Sequence, residues 1–159
     1  MKDILSVLEQ NAKATPEEIS EMTGRTVEEV KEVISQAERD KTIVKYRTII
    51  NWDKIGEGEV LALVELKMTP QRDVGFDGAA QRIARFPEVR SLHLISGDYD
   101  LSVTVVGRTM QEVASFVAMK LAALEEVHGT TTHFLLKRYK EDGVILEGEE
   151  GVKRLPMAP

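Results

Sequence analysis

A short polar segment, Ser96-Gly97-Asp98-Tyr99-Asp100, separates two apolar runs at 89–95 and 101–106. Such a glycine-containing segment between β-rich runs predicts a hairpin loop. Exposed loop amides can bind a carboxylate and an aspartate can bind an ammonium group, so together they could recognise a free amino acid. The same residues also suit a structural turn, in which Gly97 adopts a positive φ and both aspartates bond to their own backbone. The residues alone leave both interpretations open.

Catalytic, metal and cofactor chemistry has little support in the sequence. The absence of cysteine excludes disulfides, thiolate metal ligands and a cysteine nucleophile. His93, His128 and His133 are scattered, and HExxH, GxSxG and the nucleotide-binding glycine motifs are absent. We therefore predict a protein that is not an enzyme, with no metal site and no cofactor.

The composition limits the class of protein. A chain of 159 residues that is 42% hydrophobic can form one domain or two small ones. A net charge of −6 argues against a protein whose entire surface binds nucleic acid. Residues 1–4 lack a signal-peptide core, and no apolar run approaches the roughly 20 residues that span a bilayer. These features predict a cytoplasmic protein with no membrane partner.

The first forty residues carry the signals of three helices. Apolar spacing predicts a helix over 2–10, and Thr15-Pro16-Glu17-Glu18 is a capping box that starts a second helix ending at Gly24. A further capping box, Thr26-Val27-Glu28-Glu29, opens a third helix that runs to about Asp40. A short glycine-containing turn between the second and third helices is typical of a helix-turn-helix.

The β-rich segment 43–50 predicts a short strand, or wing, that completes a winged helix-turn-helix domain over 1–51. A connector over 52–59 follows. Residues 60–140 then alternate as strand, helix, strand, loop, strand, helix and strand, which predicts a ferredoxin-like βαββαβ domain and an α+β fold class. The strand beginning at Val60 is apolar at nearly every position, so both sheet faces should be covered, one by helices and the other by a second copy of the chain.

Several local details of this second domain are also predicted. Asp77 should cap its first helix, and Thr109-Met110-Gln111-Glu112 should form a third capping box. The last strand should run from Thr131 to about Tyr139. Residues 141–159 form an acidic tail, in which 144–146 could dock as a short edge piece and 148–159 could be mobile or held by contacts between subunits.

The order of these motifs resembles the Lrp/AsnC family of transcription regulators. The resemblance covers about residues 1–140 and rests on the helix-turn-helix, the segment Glu38 to Tyr46, the segment Asn51 to Gly56, and the loop 96–100. It implies a DNA-binding domain joined to an effector and assembly domain, called RAM. It also implies dimers that often build octamers, with small amino acids as effectors between dimers.

The resemblance assigns DNA contacts to cationic and polar residues of the first domain. We expect Arg25 and Lys45 to contact phosphates and Thr26 and Lys31 to enter the groove, and the remaining positive charge is on Arg39 and Arg47. Residues 1–50 nevertheless hold eight Lys and Arg against ten Asp and Glu. That acidity opposes phosphate binding, and ordinary surface charge is the alternative for each of these residues.

The family pattern places an effector pocket beside the loop 96–100 and the last strand, which adds Thr130 and Thr132 as lining residues. Two hypotheses follow. The chain is either a DNA-binding regulator modulated by an amino acid, or an effector-binding assembly protein with little specific DNA binding. A steep dependence of DNA binding on salt would separate the first from the second.

Overall fold

The computed structural model describes residues 1–56 and 58–146 and divides the chain into two compact units, with the boundary between Ile50 and Asn51. The first unit contains three helices. The second contains a four-stranded antiparallel sheet with two helices, preceded by a 3₁₀ turn at Trp52–Ile55.

Local capping determines where the helices of the first unit begin. They are α1 (Lys2–Gln10), α2 (Pro16–Thr23) and α3 (Val27–Arg39). In α2 the Thr15 hydroxyl accepts a hydrogen bond from the Glu18 amide, and the Glu18 carboxylate accepts one from the Thr15 amide. Thr26 and Glu29 repeat this exchange at α3. Gly24 ends α2 at φ +68°, in the left-handed region that glycine tolerates. All three predicted helices are confirmed.

The first unit has a small core. The side chains of Ile4, Leu8, Ile19 and Val30 are buried together, and each helix contributes at least one of them. Val33, Ile34 and Ile43 pack around this cluster. With so few buried side chains, each carries a large share of the stability of the unit.

The predicted wing strand is wrong for the single chain. Residues 43–50 form no strand in the described structure, although they remain outside any helix. Val44 is 82% exposed and Tyr46 is 44% exposed. A strand needs a neighbour to pair with its backbone groups, and no described residue of this chain pairs with the segment.

The second unit has the predicted ferredoxin-like topology. Its elements are β1 (Val60–Met68), α4 (Asp77–Ile83), β2 (Val89–Leu94), β3 (Leu101–Gly107), α5 (Met110–Phe116) and β4 (Val127–Phe134). The strand order in the sheet is β2-β3-β1-β4, and every neighbouring pair is antiparallel. The α+β fold class, with a helix-turn-helix followed by a ferredoxin-like domain, is confirmed.

Three local predictions for this unit are corrected. Asp77 is the first residue of α4, and Phe76 occupies the cap position without a side-chain hydrogen bond. Thr109 caps α5 through the Glu112 amide, but the Glu112 carboxylate binds Arg108 instead of completing the box. The last strand ends at Phe134, because its pairing with β1 ends there rather than at Tyr139.

The two faces of the sheet differ. Alternate residues of β1 and β3, including Val64, Leu66 and Val103, are fully buried against α4 and α5. The opposite face, which we call the open face, carries Leu63, Glu65 and their same-face neighbours, and these are only half-buried. The prediction that one face packs against helices is therefore confirmed.

Gly107 lies where β3 closely approaches α5. A Cβ at this position would lie 2.9 Å from Cγ2 of the buried Val113 and 3.4 Å from Cβ of Glu112. Because Val113 is short and packed, it cannot move aside freely. We expect Gly107→Ala to destabilise the second unit by about 1–3 kcal/mol, measured by urea denaturation. Gly129→Ala is a milder comparison, since its Cβ would lie 3.2 Å from Cβ of the exposed Lys67. Equal stability of Gly107→Ala and the parent chain would contradict this packing.

The described chain ends in a small hairpin, β5 (Lys140–Glu141) and β6 (Val144–Ile145). It is a separate two-stranded sheet, so 144–145 do not join the edge of the main sheet as predicted. Leu146 is buried, and its carbonyl accepts a hydrogen bond from Asn51 Nδ2 at 2.8 Å. The predicted behaviour of 148–159 falls outside the described residues.

Candidate functional site

The loop between β2 and β3, residues 95–100, closes as the predicted hairpin. The Ile95 amide donates to the Asp100 carbonyl at 2.9 Å, and Gly97 has φ +127°. The loop also contacts the neighbouring strand, because the Asp100 amide donates to the Leu66 carbonyl at 2.9 Å. The loop is thus held against the end of β1, two strands away from β2.

Asp100 anchors the loop. Its Oδ2 accepts a hydrogen bond from the Met68 amide at 2.7 Å, and its side chain is partly buried. This carboxylate therefore satisfies a backbone donor at the end of β1. The prediction that Asp100 bonds its own backbone is wrong, because the amide that it binds belongs to another strand.

The tip of the loop carries groups that are free to bind a ligand. Ser96, Gly97 and Asp98 are exposed, and their amides have no hydrogen-bond acceptor within residues 1–56 and 58–146. The Asp98 carboxylate likewise has no partner among the described residues, whereas its carbonyl accepts from Lys67 Nζ. Amides and a carboxylate within one loop can bind both charged ends of an amino acid.

The register of β4 decides which threonines lie beside the loop. Thr130 and Thr132 pair with Leu66 and Val64, so they share the face that carries the core. Thr131 pairs with Glu65 on the open face, and its Oγ1 lies 2.6 Å from the Tyr99 hydroxyl. Sequence reasoning missed Thr131 and Lys67. Strand alternation could have separated Thr131 from its neighbours only if the register had been known.

Two of the residues predicted to contact DNA already have hydrogen-bond partners within the first unit. Arg25 Nε lies 2.7 Å from Asp3 Oδ2, and this contact holds the pKa of Asp3 well below its usual range. Thr26 Oγ1 accepts from the Glu29 amide as the cap of α3. Both side chains remain exposed at the start of α3, so the hydroxyl proton of Thr26 and the terminal nitrogens of Arg25 can still reach a nucleic acid.

The other cations lie along α3 and the segment after it. Lys31 Nζ is 3.8 Å from Glu17 Oε1, a long and exposed ion pair. Arg39 donates to Ser35 and Gln36 on its own helix. Lys45 and Arg47 lie on the exposed segment 43–50, which places them beyond the helix, as a wing would.

Capping explains part of the acidity of the first unit. The carboxylates of Glu18 and Glu29 accept backbone amides at helix starts, where the helix dipole favours negative charge. Glu28 and Glu32 have no such role and are exposed on α3. Both residues add to the acidity of the surface that a recognition helix would present to DNA.

The described residues contain no group of three or more His, Asp or Glu side chains arranged to hold a metal ion. His133 Nε2 pairs with Glu65 Oε2 at 3.1 Å on the open face, and His128 lies near Thr69. Within the same ranges, no helix is long and apolar enough to cross a bilayer.

Sequence comparison assigns the family. A family model described as the Lrp/AsnC ligand binding domain matches residues 61–145. The chain belongs to the Lrp/AsnC family. This Lrp/AsnC chain is 46% identical to the HTH-type transcriptional regulator YugG of Bacillus subtilis. The alignment covers 99% of this chain and 95% of that protein. It is 27% identical to the HTH-type transcriptional regulator FL11 of Pyrococcus furiosus, over 88% of this chain and 89% of that one.

Structural comparison agrees on the Lrp/AsnC fold. The transcriptional regulator NMB0573 of Neisseria meningitidis, solved in complex with L-Met, superposes with a TM-score of 0.70. The superposition covers 87% of this chain and 89% of that one at 22% identity, a level that supports the fold alone.

Proposed function

We propose that this Lrp/AsnC chain is a DNA-binding transcription regulator whose DNA binding or assembly is modulated by a small molecule, namely an amino acid. The observation that carries the proposal is the loop tip at 96–98, whose amides and Asp98 carboxylate have no partner among the described residues. The chain that carries this loop aligns over nearly its full length with an HTH-type regulator. Binding of L-Met by a neighbour of the same fold supports an amino acid as the ligand class.

The loop would bind the ligand through its two charged ends. The amides of Ser96, Gly97 and Asp98 would bind the ligand carboxylate, and the Asp98 side chain would bind its ammonium group. Tyr99 and Thr131, joined by their hydroxyls, form the adjoining wall. Asp100 would act indirectly by holding the loop in place, and Thr130 and Thr132 would support the strand from its core side.

Arg25 and Lys45 would position the first unit on DNA phosphates, while Thr26 and Lys31 at the start of α3 would face the base edges. Arg39 at the end of α3 and Arg47 on the segment after it would add further phosphate contacts. Formation of the complex requires Arg25 to exchange Asp3 for a phosphate or to bind both. The exposed Glu28 and Glu32 would lower non-specific affinity and leave a larger share of binding to the correct sequence.

A homodimer would cover the open face of the sheet. Leu61, Leu63 and Val106 are half-buried there beside the Glu65–His133 pair, a mixture that suits a second copy of the same face. The exposed segment 43–50 could then gain a strand partner from the other subunit. Sedimentation would give the size of the particle, including any octamer of four dimers.

The second candidate is an assembly protein with little specific DNA binding, which the exposed Glu28 and Glu32 favour. Selection of bound duplexes from genomic DNA at two salt concentrations, with and without mixed amino acids, separates the two. A regulator should enrich a pseudo-palindromic site whose occupancy changes with the mixture. Failure to enrich any sequence, from a folded oligomer, would favour the assembly protein.

A charge substitution sharpens this experiment. If Arg25 binds a phosphate, Arg25→Gln should weaken binding to the selected site and reduce the slope of log K against log salt by about 1. Arg72→Gln removes the same charge from an exposed loop of the second unit and should leave the slope unchanged. Equal slopes for both variants would remove Arg25 from the interface.

A further inference from the structure

A cleft lies at the opposite end of β3 from the loop 96–100. It has a volume of about 630 Å³ and is formed where β3 passes into α5, and we call it the α5 cleft. Its lining includes Glu88, Arg108, Glu112, Phe116, Met119 and Lys120. The seven residues of β3, Leu101–Gly107, separate it from the loop by about 20 Å at the usual rise of a strand.

Glu88 lines the α5 cleft, and one of its carboxylate oxygens is buried without a hydrogen-bond donor. Its Oε2 is excluded from solvent and has no hydrogen-bond partner in the described chain. The backbone of Glu88 is held in place, because its carbonyl accepts from the Val106 amide at 2.8 Å. A carboxylate oxygen removed from water without a donor is costly. If the Glu88 side chain rotates toward the cleft, a ligand that donates a hydrogen bond to its carboxylate would remove that cost.

The cations of the cleft are not equivalent. Arg108 is committed to Glu112, with its Nη2 2.6 Å from Oε1 and its backbone amide 2.9 Å from Oε2. This pairing lowers the pKa of Glu112. Lys120 is exposed and has no partner among the described residues. The lining of the cleft therefore includes one carboxylate with an unsatisfied oxygen and one ammonium group that has no partner within residues 1–56 and 58–146.

The lining of the cleft also includes apolar side chains. Phe116 is 7% exposed and packs edge-on against Phe86, with ring centroids 5.4 Å apart, so it presents a rigid contact. Met119 is 70% exposed and can adapt to the shape of a ligand. Both Met119 and Lys120 belong to a π-helical turn, Val117–Leu121, that extends α5. Such turns are frequent at functional sites.

We propose that the α5 cleft is a second small-molecule site, which binds an apolar α-amino acid or a closely related amine. The ligand ammonium donates to Glu88, its apolar side chain packs on Phe116 and Met119, and its carboxylate pairs with Lys120. The site is separate from the loop 96–100 and does not require that loop to bind anything.

The test is calorimetric titration of the full chain with leucine, 3-methylbutylamine and 4-methylpentanoate, which share an apolar group but differ in charge. Because the negative charge that pairs with the ligand ammonium is lost, Glu88→Gln should weaken leucine and the amine about 10-fold or more at one site. Lys120→Gln should weaken leucine and leave the amine unchanged. Glu125→Gln, which removes an exposed carboxylate after α5, is the matched control and should bind as the parent chain does.

Equal binding of all three ligands by Glu88→Gln and Glu125→Gln would overturn the proposal, as would binding of 4-methylpentanoate as tight as that of leucine. Thermal melting of each variant separates lost binding from lost folding. The variant Asp98→Asn tests ligand binding at the loop 96–100 independently. If that variant changes nothing while Glu88→Gln still weakens the amine, the loop proposal fails and the cleft proposal stands.

Discussion

Ile19→Ala is expected to unfold residues 1–50 while the sheet unit keeps its fold. Ile19 is completely buried in the four-residue core of the first unit. Truncation of a buried isoleucine to alanine costs about 2–5 kcal/mol, and a unit of this size has only a few kcal/mol of stability. Amide hydrogen exchange should lose protection throughout α1–α3 and retain it in β1–β4. DNA binding should disappear together with that protection.

Met22→Ala is the matched control for Ile19→Ala. Met22 lies on the same helix, one turn further on, but is 68% exposed. Its truncation removes little buried surface, so protection and DNA binding should stay close to those of the parent chain. Loss of protection in both units of Ile19→Ala at once would mean that they fold as one cooperative body. That result would contradict two separate cores.

Asp100→Ala is expected to destabilise the second unit by about 1–3 kcal/mol and to abolish ligand binding at the loop, because the Met68 amide loses its acceptor. Asp100→Asn keeps an oxygen that can accept the same hydrogen bond and removes only the charge. We therefore expect near-parent stability and retained ligand binding for Asp100→Asn. Denaturant melting and titration with a mixture of amino acids measure the two properties separately.

Asp98→Asn completes the comparison at the loop. The Asp98 carboxylate has no partner among the described residues, so its change to an amide should leave stability unchanged and weaken an ammonium-bearing ligand about 10-fold. The opposite pattern, with Asp98→Asn neutral and Asp100→Asn inactive in binding, would assign the ligand contact to Asp100. Asp98 would then be an exposed turn residue without a role in ligand binding.

Elements specified by neighbouring residues could be predicted from the sequence. The starts of α2 and α3 follow from Thr15 and Thr26 and the glutamates three residues after them, because both partners in each capping box lie in one turn. The order of elements from Val60 to Phe134 follows from apolar periodicity in the same way. The fold class and the family resemblance needed nothing more distant than these local signals.

Features that depend on distant pairing could not be predicted. The length of β4 depends on how far β1 extends beside it, and a shift of one residue would exchange Thr131 for Thr130 or Thr132 on the open face. The wing depends on a partner strand that the described chain does not supply. The carboxylate of Asp100 meets the Met68 amide across 32 residues, a contact that no local pattern encodes.

The sequence by itself determined the two units, the order of their elements, the helix starts and the residues able to bind charged ligands. Only the tertiary structure decided which of those residues remain free. The Asp98 carboxylate has no partner among the described residues, Asp100 is committed to β1, and Arg25 is paired with Asp3. The structure also adds Glu88, a lining residue of the α5 cleft that no sequence pattern indicated. The reason is physical: a side chain is available to a ligand only when the folded chain leaves it without a partner, and those partners lie far away in sequence.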